Sequence, residues 1–491
     1  MRGEDDLLFI LLLWATWLLI PIVTDGVSTL WSILMTARLA ARRDPQPPPD
    51  AALPRVSVVI PAYNEQHNIN YCIMSLKAQT YPHHLLEIIV VDDGSEDRTS
   101  DAVIGHMGSK KARPGYLQTS SFSIGLQDFN GVLNLVRRKR DQAARHGKPA
   151  AVNAGLALAS GEIVVAIDSD VVLEPTAIEE AVRAFMANEN LVAATGHLII
   201  DPYLNFAIDR TGHVQLDEHG LPLTKRLSPS ENLLTACQFL EYATAFHLGR
   251  RSETQTNSLF TLSGACAVYR REPLLRAGGY RGRTVSEDTD MTMMLHRLGR
   301  GHIGYLAEMK AHLAPVITWS GLYAQRVRWQ RGELEVSAVH MIPRQGERRR
   351  PLFWRVILPL RLQVDHTLTL PRLIWTFLIF ALPLFGYSWS VVGEALALLY
   401  VFYTAVNILR VLVAYVFSSP PEKVLIRRYL GYTVLFPIYN MFLFWTRVSA
   451  NLRTLTEDAS WTVHNPFLRK LETIDPARVA ARLLLYLHSL R

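Results

Sequence analysis

Apolar positions divide the chain into three parts. Residues 7 to about 34 form a nearly continuous apolar run, longer than the about 20 residues a helix needs to cross a bilayer. From Arg55 to about Tyr305, short runs rich in Val and Ile alternate with segments of helical period, the pattern of βαβ units around a buried parallel sheet. Strands are expected at 56–60, 87–91, 132–136, 163–167 and 191–200, and helices at 67–79, 149–159, 176–186 and 231–247. Two polar stretches, 105–130 and 201–230, follow neither period and are expected as surface insertions. After Arg350 the pattern turns apolar again, with an interfacial segment expected at 353–365 and spanning helices at 370–385, 391–416 and 429–445.

These patterns give a domain plan: a transmembrane helix in 1–43, a Pro-rich linker at 44–54 and a cytosolic α/β domain over 55–317. Interfacial helices follow at 318–366, then about three spans within 367–452 and a tail at 453–491, whose amphipathic, basic stretch 479–490 suits a membrane surface. The first apolar run lacks the features of a signal peptide, because Glu4, Asp5 and Asp6 stand in place of a basic leader and no small-residue cleavage site follows. Arg38, Arg42 and Arg43 on its far side place the middle domain in the cytoplasm by the positive-inside rule.

Composition sharpens this plan only in part. Of the 491 residues 49% are hydrophobic, a moderate share that becomes informative because it is concentrated at the two ends. The net charge of +7 collects where apolar segments meet polar chain, at Arg38 to Arg43, Arg348 to Arg350, and Arg427 with Arg428. Those positions read as cytoplasmic anchors rather than as a nucleic-acid surface, and no nucleic-acid-binding module is recognisable. Cys72, Cys237 and Cys266 are odd in number, widely spaced and free of any Cys-x-x-Cys pairing, which argues against a disulfide framework or a zinc site.

Chemistry concentrates at the C-terminal ends of the expected strands, where open α/β sheets bind ligands. The first strand runs into Pro61-Ala62-Tyr63-Asn64-Glu65, the second into Asp92-Asp93-Gly94-Ser95, and the fourth into Asp168-Ser169-Asp170. Two carboxylates spaced by one residue can share a hard divalent cation, which Mg2+ characteristically accepts together with substrate phosphates. Glu287 and Asp288 begin a helix running to Leu298, and helix capping competes with catalysis as their reason to be there. Gln325, Arg328 and Trp329 share one helix face by their i, i+3, i+4 spacing.

In this order the motifs resemble those of the processive family 2 glycosyltransferases, the group that includes synthases of cellulose, chitin, hyaluronan and poly-N-acetylglucosamine. The matching stretches are PAYNE at 61–65, VDDGS at 91–95, GKPAAVNAG at 147–155, DSD at 168–170, SGA at 263–265, SED at 286–288 and QRVRW at 325–329. The resemblance implies an α/β GT-A (Rossmann-like) cytosolic domain combined with an α-helical transmembrane region and interfacial helices. By it, Pro61, Tyr63, Glu65, Asp92, Asp93, Lys148, Asp168, Gln325, Arg328 and Trp329 would hold a UDP-sugar donor. Asp168 and Asp170 would bind Mg2+ or Mn2+, Ser263, Gly264, Ala265 and Trp329 would face the growing glycan acceptor, and Asp288, assisted by Glu287, would be the general base. The implied protein is a multi-pass enzyme of a bacterial plasma membrane, embedded in the lipid bilayer, that polymerises a β-linked polysaccharide and passes it through its own channel. A non-processive transferase making a glycolipid and an inactive scaffold or transporter are the competing readings. The acidic motif Ser286-Glu287-Asp288-Thr289-Asp290 lies nearer the poly-N-acetylglucosamine and cellulose pattern than the hyaluronan or chitin one.

Overall fold

The computed structural model describes residues 21–40, 52–107, 116–125, 128–138, 147–209, 214–215, 222–299, 301–341, positions 354 and 358, and 379–456. The start of the first expected span, the linker at 44–51, the basic run at 348–350, nearly all of the interfacial segment 353–365, most of the span at 370–385 and the tail beyond 456 lie outside them.

The described strands are β1 (Val56–Ala62), β2 (Leu86–Asp92), β3 (Tyr116–Gln118), β4 (Ser123–Gly125), β5 (Val132–Arg137), β6 (Ile163–Ile167), β7 (Val172–Leu173), β8 (Leu191–Ile200), β9 (Cys266–Arg270) and β10 (His302–Leu313). The helices are α1 (Val27–Ala40), α2 (Ile69–Lys77), α3 (Thr99–Met107), α4 (Lys148–Leu158), α5 (Ala177–Ala187), α6 (Pro229–Thr244), α7 (Arg251–Gln255), α8 (Arg271–Arg276), α9 (Glu287–Leu298), α10 (Trp319–Met341), α11 (Trp389–Phe417), α12 (Pro420–Tyr429) and α13 (Phe436–Thr456). One eight-stranded sheet in the order β5-β2-β1-β6-β9-β8-β10-β7 forms the centre, with β3 and β4 as a separate hairpin.

All five expected strands are present, and β6 and β8 have the expected limits. Burial on both faces explains why β-branched runs were needed: every residue of β6 and of β8 is buried. Pro61 is tolerated in a central strand because pairing of β1 with β6 ends at Val59 opposite Ala166, so its missing N–H faces no partner there. Helix α4 lies close against β1 and β2 because Gly155 has no side chain, as a Cβ there would stand 2.5 Å from Val59 Cγ1.

Three expectations are corrected. The sheet is mixed rather than parallel: β9 runs antiparallel to β6 and β8, and β7 antiparallel to β10. The chain reaches β9 through the long excursion 201–265, which carries α6 and α7 and returns it antiparallel to β8. The segments 105–130 and 201–230 are more than surface insertions, since Leu117 and Ile124 of the β3–β4 hairpin pack with Met74, Ala78, Val172 and Leu204. Asp201 is fully buried, accepts from the backbone N–H and hydroxyl of Ser120, and pairs with His312 Nδ1 at 2.8 Å. Burial alone would lower the His312 pKa, but Asp201 and Glu174 on either side push it up to about 9. The third correction concerns 429–445, where a 3₁₀ stretch, Leu430–Leu435, precedes α13 and divides the expected span.

Among the described residues one helix, α11, is long and apolar enough to cross a membrane, with 29 residues and a mean hydropathy of 2.0 in its most apolar window. Val401 and Val416 on it are 63% and 66% exposed, an apolar surface unsuited to water. The sheet meets this helical region through a shared core: Ile199 and Ile200 of β8, Leu234, Phe239 and Leu240 of α6, and Leu322 of α10 pack with Val411, Leu425, Tyr429, Phe436 and Tyr439.

Candidate active site

Loops at the C-terminal ends of β1 and β2 are stapled to each other before any ligand is considered. Asn64 adopts φ 57°, its N–H donates to Ser95 Oγ at 3.0 Å, and its Oδ1 accepts from Glu96 N at 2.9 Å. Glu65 N donates to Thr99 Oγ1 at 2.7 Å and Gln66 N to Asp97 Oδ2 at 3.1 Å. Tyr63 remains exposed at the tip of this turn. The adjacent acids of the second motif part company here. Asp92 closes its own turn, accepting from Ser95 N at 2.8 Å and from the Ser100 hydroxyl, while Asp93 accepts from Gly147 N at 2.8 Å and pairs with Arg138. Both are buried, and Asp93 thereby fixes the residue that precedes Lys148.

Lys148 is the hub. It opens α4 from Gly147, whose φ of 97° suits only glycine, with Pro149 in the first turn. Its Nζ lies 2.5 Å from Asp168 Oδ1 at the end of β6 and 3.4 Å from Glu287 Oε1 at the start of α9, and donates to the carbonyl of Gly264 at 3.3 Å. Gly264 in turn donates its N–H to Asp288 Oδ2 at 2.9 Å, and Thr289 N donates to Asp288 Oδ1 at 2.7 Å. A Cβ on Gly264 would lie 3.0 Å from both Asp288 Oδ2 and Lys148 Nζ, so the SGA loop is glycine where two charged groups close over it. Acids from β6 and α9, far apart in sequence, thus meet within one side chain's reach.

Electrostatics sort the acids. Burial opposes the Lys148 charge, but Asp168 and Glu287 more than offset it and hold the ammonium well above its ordinary range. Glu287 is almost fully buried, and burial, with the Asp288 charge, pushes its carboxyl up to about 7 against the pull of Lys148. Asp288 is only half-buried. Asp170 is exposed at the surface, yet desolvation by the protein around it and then the Asp168 charge push its carboxyl up to about 6. Burial raises Glu65 to about 7, opposed by its bond from Asn68 and assisted by Asp170 and Asp168. Like charges are crowded together, and no side chain among the described residues bonds or pairs with Asp170. A hard divalent cation held by Asp168 and Asp170 would relieve that repulsion, so the donor set fits Mg2+ or Mn2+. Burial pushes the thiol of Cys266, in β9 beside this loop, up to about 12, consistent with a packed and unreactive side chain.

Helix α10 carries Gln325, Arg328 and Trp329, and one turn beyond Trp329 it touches the acidic motif. A Cβ on Gly332 would lie 1.9 Å from Ser286 Oγ, and Glu335 Oε2 accepts from Val285 N at 3.0 Å. Several supporting residues were not singled out from the sequence. Arg326 lies over the Trp329 ring, 4.3 Å from its centroid, and is held by Glu241 of α6 at 2.9 Å, to which Tyr439 of α13 also donates at 2.7 Å. Asp290 accepts from Arg283 at 2.6 Å and from His340 at 2.5 Å, tying α9 to the far end of α10. Asp290, as the last acid of its motif, and Arg326, inside QRVRW, left a trace in the sequence; Glu241, Tyr439, Arg283 and His340 left none.

A model described as Glycosyl transferase family 2 matches residues 57–115, and one described as Glycosyltransferase like family 2 matches residues 130–332. The chain is similar to a probable glycosyltransferase, YdaM, of Bacillus subtilis (strain 168), 26% identical over 280 residues, 57% of this chain and 55% of that protein. It is also similar to the poly-beta-1,6-N-acetyl-D-glucosamine synthase of Staphylococcus epidermidis, 25% identical over 281 residues, again 57% of this chain and 55% of that protein. The chain spans about half the length of the curated relatives it matches. Among solved structures it is similar in fold to the mannosyltransferase PcManGT from Pyrobaculum calidifontis in complex with GDP-Man and Mn2+, with a TM-score of 0.53 and 19% identity over 90% of this chain and 99% of that one. That likeness gives the α/β domain a GT-A-like fold.

Proposed function

The chain belongs to glycosyltransferase family 2, and from that premise we propose that it is a cation-dependent, inverting transferase that extends a β-linked glycan from a UDP-sugar at the cytoplasmic face of a membrane. The observation that supports this reading is the convergence on Lys148, whose Nζ meets Asp168 at 2.5 Å, Glu287 at 3.4 Å and the carbonyl of Gly264 at 3.3 Å, the residue whose own N–H is bound by Asp288.

The turn with Tyr63 and Glu65, backed by Asp92 and Asp93, holds the uridine end of the donor. Lys148 meets the diphosphate, whose charge it is kept protonated to match. Asp168 and Asp170 would hold Mg2+ or Mn2+, which would supply positive charge to neutralise the diphosphate leaving group. Asp288, cradled by two backbone N–H groups, accepts the proton of the acceptor hydroxyl as that oxygen bonds to the anomeric carbon. The bond from that carbon to the diphosphate breaks, and UDP leaves with the bonding pair. Trp329, backed by Arg326, offers a flat ring to the sugar that accepts, with Gln325 and Arg328 on the same helix face. The poly-N-acetylglucosamine synthase relative and the apolar helix α11 support a polymer product that leaves through the membrane region.

Membranes containing the protein, incubated with labelled UDP-sugars and Mn2+, are expected to retain label in a high-mass ladder that a glycosidase degrades. A single extractable lipid species instead of a ladder would replace polymer synthesis with glycolipid synthesis, and absence of any transfer would reject the enzyme.

A further inference from the structure

Away from the cleft, three fully buried side chains from separate parts of the chain turn metal-ligating atoms toward one another. His197 lies on β8, His247 in a π-helical turn, Ala245–Arg250, that follows α6, and Glu422 on α12 just beyond the apolar helix α11. One ligating atom from each lies within 4.8 Å of the others. His197 Nε2 is 2.7 Å and His247 Nε2 3.2 Å from the same oxygen, Glu422 Oε1. The two imidazole centroids are 4.5 Å apart.

The surroundings are those of a held ligand set. The hydroxyl of Tyr305 meets His197 Nδ1 at 2.6 Å, which fixes the ring so that Nε2 faces the carboxylate, the arrangement that orients histidine toward metals. The second oxygen of Glu422 accepts from the backbone N–H of Ser419 at 3.0 Å and its hydroxyl at 2.7 Å, fixing that side chain too. Phe246 stands edge-on to His197 and closes the site with an apolar wall. π-Helical turns are rare and concentrate at functional sites, and this one supplies His247.

Without an ion this arrangement balances poorly. Both imidazoles must aim an N–H at one oxygen, and the buried Nδ1 of His247 has no partner. Among the described residues Glu422 forms no ion pair with Lys or Arg, so its buried charge is met by the two histidines and by the Ser419 donors alone.

We propose that His197, His247 and Glu422 form a binding site for a nitrogen-preferring transition-metal dication, zinc first, which clasps the catalytic sheet to helix α12. Two imidazoles and one carboxylate are an established zinc ligand set, whereas Mg2+ prefers oxygen alone. Zinc bonds of about 2.0–2.2 Å require only a small spreading of these three atoms. The site is separate from Asp168 and Asp170, because β9 lies between β6 and β8 in the sheet. The clasp acts on the strand that also positions the SGA loop, since Thr195 of β8 accepts from Ser263 N at 3.2 Å.

The test is metal analysis of the full chain in detergent, purified without a histidine tag, loaded with Zn2+ or Co2+ without nucleotide and then desalted. Wild type is expected to keep one zinc per chain and to show visible bands of tetrahedral Co2+. Glu422→Gln and His247→Gln are expected to lose at least four-fifths of that metal, whereas Asp170→Ala keeps it. Chelation is expected to lower the Tm of wild type, a comparison that needs no variant to fold. Background metal in wild type, a Tm indifferent to chelation, or loss of the ion in Asp170→Ala would each overturn the proposal.

Discussion

Replacing Asp288 with Asn is expected to slow sugar transfer about a thousandfold while leaving donor affinity within about twofold, the size of effect that a general base supplies. The substitution keeps the side-chain shape, and its amide oxygen can still accept the Gly264 N–H that now reaches Oδ2 at 2.9 Å. What is lost is the capacity to take a proton from the acceptor, together with the local bond from Thr289 N, which an amide NH2 cannot accept. The loss belongs in kcat, with the donor KM little changed, because Asp288 makes no ion pair with Lys148. Glu287→Gln provides the contrast: Glu287 pairs with Lys148 at 3.4 Å, so its loss is expected to disturb donor binding as well as rate. Steady-state kinetics on both variants decide the matter, and an Asp288→Asn enzyme within about tenfold of wild type would remove Asp288 from the role of base.

The second large effect is expected at a residue without chemistry. In Gly332→Ala the new methyl would stand 1.9 Å from Ser286 Oγ, 2.6 Å from Ser286 Cβ and 3.2 Å from Ser286 N. A hydroxyl can rotate away, but the Cβ cannot, so α10 must move relative to the turn that carries Glu287 and Asp288. A displacement of about 1 Å at a reacting site costs about a hundredfold in rate. Overpacking of this kind costs about 1–3 kcal/mol of stability. Transfer is therefore expected to fall about a hundredfold, with a lowered Tm. Ser286→Gly in the same chain removes the obstructing atoms and is expected to restore part of the rate. Gly332→Ala at near wild-type activity would show that the helix bearing Trp329 need not sit tightly on the acidic motif.

The contrast between these residues shows where the chain was legible. The DSD motif follows β6, an unbroken apolar strand with turn residues behind it, so period and position agreed. Strand β10 gave no such signal, because His, Glu and Lys interrupt it and a register shift between Leu306 and Lys310 breaks the alternation. Asp92 and Asp93 look interchangeable in sequence, yet one closes a turn and the other anchors Gly147. Glu241 belongs to no motif, and its importance arises only because α6, α10 and α13 bring Arg326 and Tyr439 to it. Motifs mark groups that act at strand ends. They leave unmarked the close packing, as at Gly332, that sets those groups against each other.

Everything in the proposed reaction depends on Asp168, Asp170 and Lys148 forming one receptor for a cation-bound nucleoside diphosphate. Equilibrium dialysis of labelled UDP against the purified protein, once with Mn2+ and once with a chelator, measures that receptor without any acceptor or membrane product. The expected result is saturable UDP binding that Mn2+ strengthens at least tenfold, as Asp170 gains the counter-charge it lacks. Equal UDP affinity with and without the cation, or none under either condition, would contradict the reaction proposed for this site.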